Sequence, residues 1–197
     1  MKVSVMDKRL EENLRVKTAI TEAFLHLLES STAENISVSE ITKLARVSRM
    51  AYYRNFTSKL EIIRFYYDEI IFHEMKTMLI NSDEEEIDVW TKEYGGAFFT
   101  VMKRHQKHIL MLEELGYSGM LLQAFNERNI DLAGDMPATS IRRYTIYYAA
   151  GASFNGMLEW LRSGCRESIE DMVNSMYDFM NSCFNSKSHA MPPITTY

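Results

Sequence analysis

Apolar side chains recur at intervals of three and four along most of this chain, the period of an α-helix rather than of a strand. Ile20, Ala23, Phe24, Leu27 and Leu28 fall on one face of a first predicted helix, from about Asn13 to Ser30. From Ser58 to about Asn81, Ile62, Phe65, Tyr66, Ile70 and Met78 predict a long helix. The acidic stretch Asp83-Glu84-Glu85-Glu86 interrupts the pattern and reads as a solvated loop whose last acids favour the next helix N-terminus. A further helix is expected from about Ile87 to His108, striped by Trp90, Tyr94, Phe98, Val101 and Met102. A shorter piece ends at Gly116, and another spans about Ser118 to Ala133 and stops near Gly134. After Pro137 a long helix is expected over about Thr139 to Ser163, with Gly164 as its C-terminal cap. The last helix begins under the near capping box Ser168-Ile169-Glu170-Asp171 and reaches about Phe184. No Gly or Pro precedes Gly95, so the tight turns that short strands need are missing there. The expected fold class is all-α, with about nine helices.

The densest run of start signals lies between Ser37 and Glu61. Ser37-Val38-Ser39-Glu40 is a capping box opening a helix over Val38 to Ala45, which presents Val38, Ile41 and Ala45 to a core. Arg46-Val47 makes a tight turn, and Ser48 caps a second helix of about Arg49 to Asn55. Phe56 follows as an apolar anchor, and Ser58-Lys59-Leu60-Glu61 is another capping box. Two short capped helices joined by so brief a turn predict a helix-turn-helix, whose second helix is built to enter a DNA major groove. The chemistry of that helix agrees. Arg49, near its start, can bond guanine with two hydrogen bonds, while Met50 and Tyr52 offer surface to thymine methyls or sugars. Tyr53 and Lys59 supply a hydroxyl and a cation for phosphates.

Charge sharpens this picture more than composition does. The 197 residues carry a formal charge of −5, unpromising for a nucleic-acid binder, but residues 1–60 hold ten Lys and Arg against seven acids. The remainder holds twelve against twenty, so a basic front adjoins an acidic body. No uncharged apolar run reaches the length of a membrane span, and Met1 to Arg15 mixes acids with bases and lacks the apolar core of a secretory signal. Two cysteines, Cys165 and Cys183, suffice neither for a disulfide framework nor for a four-ligand zinc site, and a reducing, cytoplasmic setting is expected. His105 and His108 on a Lys-rich surface turn read as solvated side chains, not metal ligands. No nucleophile constellation and no phosphate-binding Gly loop occurs, so neither catalysis nor a cofactor is expected.

The segments Ile20-Thr21-Glu22-Ala23-Phe24, Ser37-Val38-Ser39-Glu40-Ile41, Val47-Ser48, Tyr53-Arg54-Asn55-Phe56 and Ser58-Lys59 resemble the N-terminal pattern of the TetR family of transcriptional regulators. The match is strong over about residues 14–62. It departs at Arg46, where the family usually has Gly, and at Met50-Ala51, where it has Gly-Thr. An Arg in a left-handed turn costs roughly 1 kcal/mol, and Ala51 lacks the hydroxyl contact a Thr would make. The stretch from Gly156-Met157-Leu158-Glu159-Trp160-Leu161 through Gly164 to Ser168 is similar to the last two helices of a subgroup of that family.

The resemblance implies a three-helix DNA-binding domain over residues 1–60, a helical ligand-binding and dimerisation domain over 61–188, and a flexible tail over 189–197. It implies double-stranded DNA with a palindromic operator, a second copy of the chain and a small-molecule effector as partners, and no membrane. The expected DNA-contacting set is Ser37, Ser48, Arg49, Met50, Ala51, Tyr52, Tyr53, Arg54, Asn55 and Lys59. Most of the Met, Phe and Tyr residues read as bundle core, but Trp90, Tyr94, Phe98, Met102, Tyr117, Met120, Tyr147, Phe154 and Met157 are candidates to line a cavity for an apolar or aromatic effector. On the last helix, Met172, Val173, Met176, Phe179 and Met180 form one stripe, beside small residues at Ala149 to Ser153 and Gly156 on the preceding helix. Two such stripes predict an isologous twofold interface. The family's usual behaviour would make this a repressor released by its ligand. A coactivator acting mainly through a protein partner, or an all-α binding protein or enzyme, are the rival readings.

Overall fold

The computed structural model describes residues 5–80, 91–132, 137 and 139–184, and every regular element among them is helical. In order these are α1 (Val5–Leu28), α2 (Val38–Leu44), α3 (Arg49–Asn55), α4 (Lys59–Phe65), a π-helical stretch (Tyr66–Ile71), α5 (Phe72–Ile80), α6 (Lys92–Arg104), α7 (Gln106–Glu114), α8 (Ser118–Leu132), α9 (Arg142–Arg162) and α10 (Ile169–Phe184). Because α4, the π stretch and α5 run on without a break, the described residues form nine continuous helices. The acidic stretch at 83–86, Trp90, Gly134 and the tail lie outside the described residues.

Two compact units emerge from the packing. One comprises the chain through Glu74 together with Lys107–Ala124; the other comprises Met75–Gln106 and the chain from Phe125 onward. Neither coincides with a division at residue 60. In the first unit, Ile20 and Phe24 of α1, Ile41 of α2, Tyr52 of α3 and Ile62 and Ile63 of α4 close a common core, each at most 2% exposed. Burying each of these side chains contributes about 1.5–3 kcal/mol, enough together to hold short helices that would not persist alone. The one buried hydroxyl of α1, Thr21, donates to the Lys17 carbonyl at 2.9 Å. Helix α1 starts well before Asn13, because its first turns are held by helix-forming residues and an Arg15–Glu12 ion pair at 2.8 Å; Leu10 and Leu14 there stay exposed and leave no apolar stripe to read.

Three helix ends share one geometry with different residues. After α7, the Tyr117 amide donates to the Leu112 carbonyl and Gly116 adopts φ +85°; after α9, the Cys165 amide donates to Trp160 and Gly164 adopts φ +84°. After α2, the Val47 amide donates to Thr42 at 3.0 Å and the Arg46 amide to Lys43 at 3.3 Å, with Arg46 at φ +55°. All three are Schellman closures, and the one inside the helix-turn-helix places Arg46 where the other two have Gly; after Gly164, Cys165 also adopts a positive φ of +54°. Arg46→Gly is therefore expected to raise the stability of the protein by about 1 kcal/mol, read from the urea midpoint at unchanged slope. A lower midpoint would mean that the Arg46 side chain makes contacts worth more than the strain.

In the second unit, α10 lies along α6. A Cβ built on Gly95 would come within 2.8 Å of the Met176 terminal methyl and 3.4 Å of Val173, so the glycine sets this close approach. Phe98 stacks on Phe125 with centroids 5.1 Å apart, and Phe99 meets the edge of Trp160 at 5.4 Å. The break between α6 and α7 comes at His105, earlier than expected, and Gln106 uses its side chain to donate to the Leu161 carbonyl at 2.7 Å.

Candidate nucleic-acid interface and effector pocket

Local hydrogen bonding builds the helix-turn-helix. The Ser37 hydroxyl accepts the Glu40 amide at 3.2 Å while the Ser37 amide donates to the Glu40 carboxylate at 2.8 Å, a complete capping box. Ser48 accepts the Ala51 amide at 3.0 Å and so opens α3. Ser58 accepts the Glu61 amide at 3.2 Å, but the Glu61 carboxylate reaches back past it to the Thr57 amide and hydroxyl. Hydrogen bonds from Ser37 hold the Glu40 carboxyl below the ordinary carboxylate range, and those from Thr57 do the same for Glu61. Both helix starts therefore keep their full strength above the ordinary carboxylate pKa and lose it as the pH falls through the lowered values.

On this frame α3 shows one face to solvent. Met50 is 83% exposed and Tyr53 63%, with Arg49 and Arg54 exposed beside them. Lys43 and Arg46 are exposed on the approach to α3, and α3 itself contains no acid. The Arg49 guanidinium donates to the Ser39 hydroxyl at 2.9 Å, which ties α3 to α2 and keeps the cation at the surface. Ala51 is half-buried, and Asn55 turns its amide onto the Ala51 carbonyl at 2.7 Å.

One expectation for this face needs correction, and two further residues are engaged within the chain. Tyr52 is 2% exposed: its ring packs against Phe56 and meets Tyr53 edge-on at 5.3 Å, so it is core and Tyr53 alone is presented outward. Helical spacing explains this, since neighbours on a helix point about 100° apart and only one of the pair can face the core. Lys59 turns its ammonium onto the carbonyls of Ala33 and Glu34, in the connection between α1 and α2, so in the free chain it closes that loop. The Ser37 hydroxyl is committed to Glu40 as donor and acceptor and is a cap before it is anything else.

A small, partly closed void of about 30 Å³ lies in the second unit, lined by Tyr94 and Phe98 of α6, Phe125 and Asn129 of α8, Ile146, Ala149, Ala150 and Ser153 of α9, and Met176 and Met180 of α10. Of the nine residues proposed to line a cavity, the structure brings only Tyr94 and Phe98 to it. Met102, Phe154 and Met157 are buried elsewhere in the core, Tyr147 is 38% exposed, and Tyr117 and Met120 belong to the first unit. Trp90 lies outside the described residues. The rest of the lining comes from small residues on α9 and methionines on α10, whose pattern of small side chains opposite flexible ones is the same in sequence as that of a plain helix contact.

The stripe on α10 divides. Val173 is 7% exposed and packs on α6 of its own chain, a correction to the proposed set, while Met176 faces Gly95 yet is only half-buried and also borders the groove between α9 and α10. Met172, Phe179 and Met180 line an open groove of about 290 Å³ with Ala152 and Gly156 of α9, and Phe179 is 49% exposed. The outer face of α9 continues this apolar surface through Ile141, Tyr144 and Tyr148, which are 78%, 53% and 71% exposed. Among the described residues no helix is long and apolar enough to cross a membrane.

Solved structures of similar architecture were found, although no protein-family model and no curated protein matches the sequence. The dihydroxyacetone kinase operon activator DhaS is 17% identical, with a TM-score of 0.60 over 86% of this chain and 96% of that one. A TetR transcriptional regulator from Rhodococcus sp. RHA1 is 17% identical, with a TM-score of 0.55 over 87% and 96%. Another from Streptococcus agalactiae is 16% identical, with a TM-score of 0.52 over 90% and 99%. The chain shares the all-α fold of these TetR-type regulators.

Proposed function

We propose that this chain is a cytoplasmic, dimeric DNA-binding transcriptional regulator of the TetR type, a repressor released from its operator by a small apolar or aromatic molecule. One observation carries the reading: α3, capped by Ser48 and anchored by Tyr52, presents Arg49, Met50, Tyr53 and Arg54 outward with no acid among them. That is the form of a recognition helix, with Arg49 near its N-terminus where side chains reach base edges. Arg49 leaves Ser39 for a base, and Arg54, Lys43 and Arg46 meet phosphates.

The exposed faces of α9 and α10 support the dimer. A surface carrying Tyr148, Tyr144 and Phe179 meets its own copy across a twofold axis, and two heads then read half-sites about 34–36 Å apart. An effector in the second unit shifts the population toward a head spacing that no longer fits, by as much as its affinities for the two states differ.

A coactivator that works through a protein partner is the second reading, favoured by the engagement of Lys59 with the α1–α2 loop and by the departures at Arg46 and Met50-Ala51. Footprinting on the DNA upstream of this protein's own coding region separates the two. A regulator protects a palindromic site with affinity falling steeply as salt rises. Arg49→Ala is expected to cost about 1–3 kcal/mol at its best site and to relax preference at one base pair. Unchanged affinity and unchanged preference would remove α3 from the role of reading helix.

A further inference from the structure

We propose that the void between α6, α8, α9 and α10 is the closed form of an effector site that takes a compact, uncharged molecule with an apolar body and one hydrogen-bond-accepting oxygen, received by the Tyr94 hydroxyl. The proposal rests on the regulator reading for its biological use but not for its test.

Tyr94 is 5% exposed, and its hydroxyl has no hydrogen-bond partner among the described residues. A buried polar group left unmade is costly and calls for an occupant. Burial pushes the phenol well above its ordinary pKa, against the weaker opposing pull of the Arg128 charge, so the group is a donor throughout the physiological range. The other polar groups on the wall are the Ser153 hydroxyl and the Asn129 amide, whose nitrogen already donates to the Phe125 carbonyl at 2.7 Å. No charged residue lines the void, and the rest of its wall is aromatic or aliphatic. An ion would go unpaired there, whereas a ketone, an ether or an alcohol would be matched.

At about 30 Å³ the void holds a water or two and nothing larger. Its wall on the α10 side is Met176 and Met180, and the same two side chains, with Ser153, line the open groove of about 290 Å³ between α9 and α10. Methionine is unbranched and turns about three bonds, so this wall is the part of the enclosure that yields at least cost. Rotating the pair joins void and groove into a space near the lower bound of ordinary small-molecule sites.

The probes that test this are acetophenone and α-methylstyrene, which share a shape and differ in whether the side arm ends in a carbonyl oxygen or a methylene. Calorimetric titration of the full chain without DNA is expected to show acetophenone binding roughly tenfold more tightly, the worth of one hydrogen bond. In Tyr94→Phe, which removes an unmatched hydroxyl, the thermal midpoint is expected to hold or rise and the two probes to bind alike. Retained discrimination in Tyr94→Phe, loss of its fold, or no acetophenone binding to the original protein would each overturn the proposal. DNA protection by the untreated protein is unaffected by any of these results, so failure here and failure of the regulator reading are told apart.

Discussion

Replacing Tyr148 and Phe179 together by glutamate is expected to leave the chain helical, to turn dimers into monomers and to abolish operator binding. Both side chains are already open to solvent within one chain, at 71% and 49%, so the fold loses little when they change. In a twofold interface each substitution counts twice, and four carboxylates in an apolar contact face a desolvation cost of several kcal/mol with no partner. A single head then binds DNA without the second head's effective concentration, a loss of about 10²–10⁴ in affinity. Sedimentation, far-ultraviolet circular dichroism and a gel shift on the same samples decide the matter. A helical, still dimeric double variant would place the interface away from α9 and α10. Met176 is the wrong residue for this experiment: it packs against Gly95 in its own chain, and a charge there would injure the α6–α10 contact directly.

Trp160→Ala is expected to destabilise the protein by about 3–5 kcal/mol. The indole is 3% exposed, stands edge-on to Phe99 at 5.4 Å, and lies under the Lys103 ammonium at 5.8 Å. Its Nε1 also donates to the Glu167 carbonyl at 3.1 Å, which holds the turn between α9 and α10. Truncation thus opens a cavity, leaves that carbonyl without its indole donor and loosens the entry to the last helix. Urea unfolding of Trp160→Ala beside Trp160→Phe separates these contributions, since Phe restores most of the volume and none of the hydrogen bond. A cost below about 1 kcal/mol for Trp160→Ala would show that neighbouring side chains refill the site.

What could be read without coordinates was what short-range physics determines. The capping boxes at Ser37 and Ser168, the cap at Ser48 and the Gly116 and Gly164 closures involve residues within a few positions of each other, and the structure has them all. The all-α class followed from apolar period for the same reason. Where a side chain points was legible only when one face of its helix was plainly apolar. Tyr52 and Tyr53 are alike in sequence and opposite in burial because the core position is set by α1 and α4, distant in the chain. Local pattern points Lys59 toward phosphate, yet its partners in the chain are 25 and 26 residues away. The void depended on which helices of the second unit meet, and small residues on α9 do not by themselves say whether they face a neighbouring helix, an empty space or a second copy.

Between Tyr66 and Ile71 the helix of the first unit winds more widely, and the Phe72 amide donates to the Tyr67 carbonyl five residues back. Such a turn carries one residue more than an α-helical turn would. Ile62 and Ile63 before it, Ile71 at its end and Phe72 after it are all buried, while Glu69 within it is exposed. Chain length is thus negotiable at this spot alone along the helix. Dropping Glu69 would let the wide turn relax into an ordinary one with both flanking apolar faces kept in phase, whereas dropping Leu60 would swing the cap at Ser58 through about 100° relative to the core. Single-residue deletions, which ruin most helices, divide this one into a stretch that tolerates them and stretches that do not.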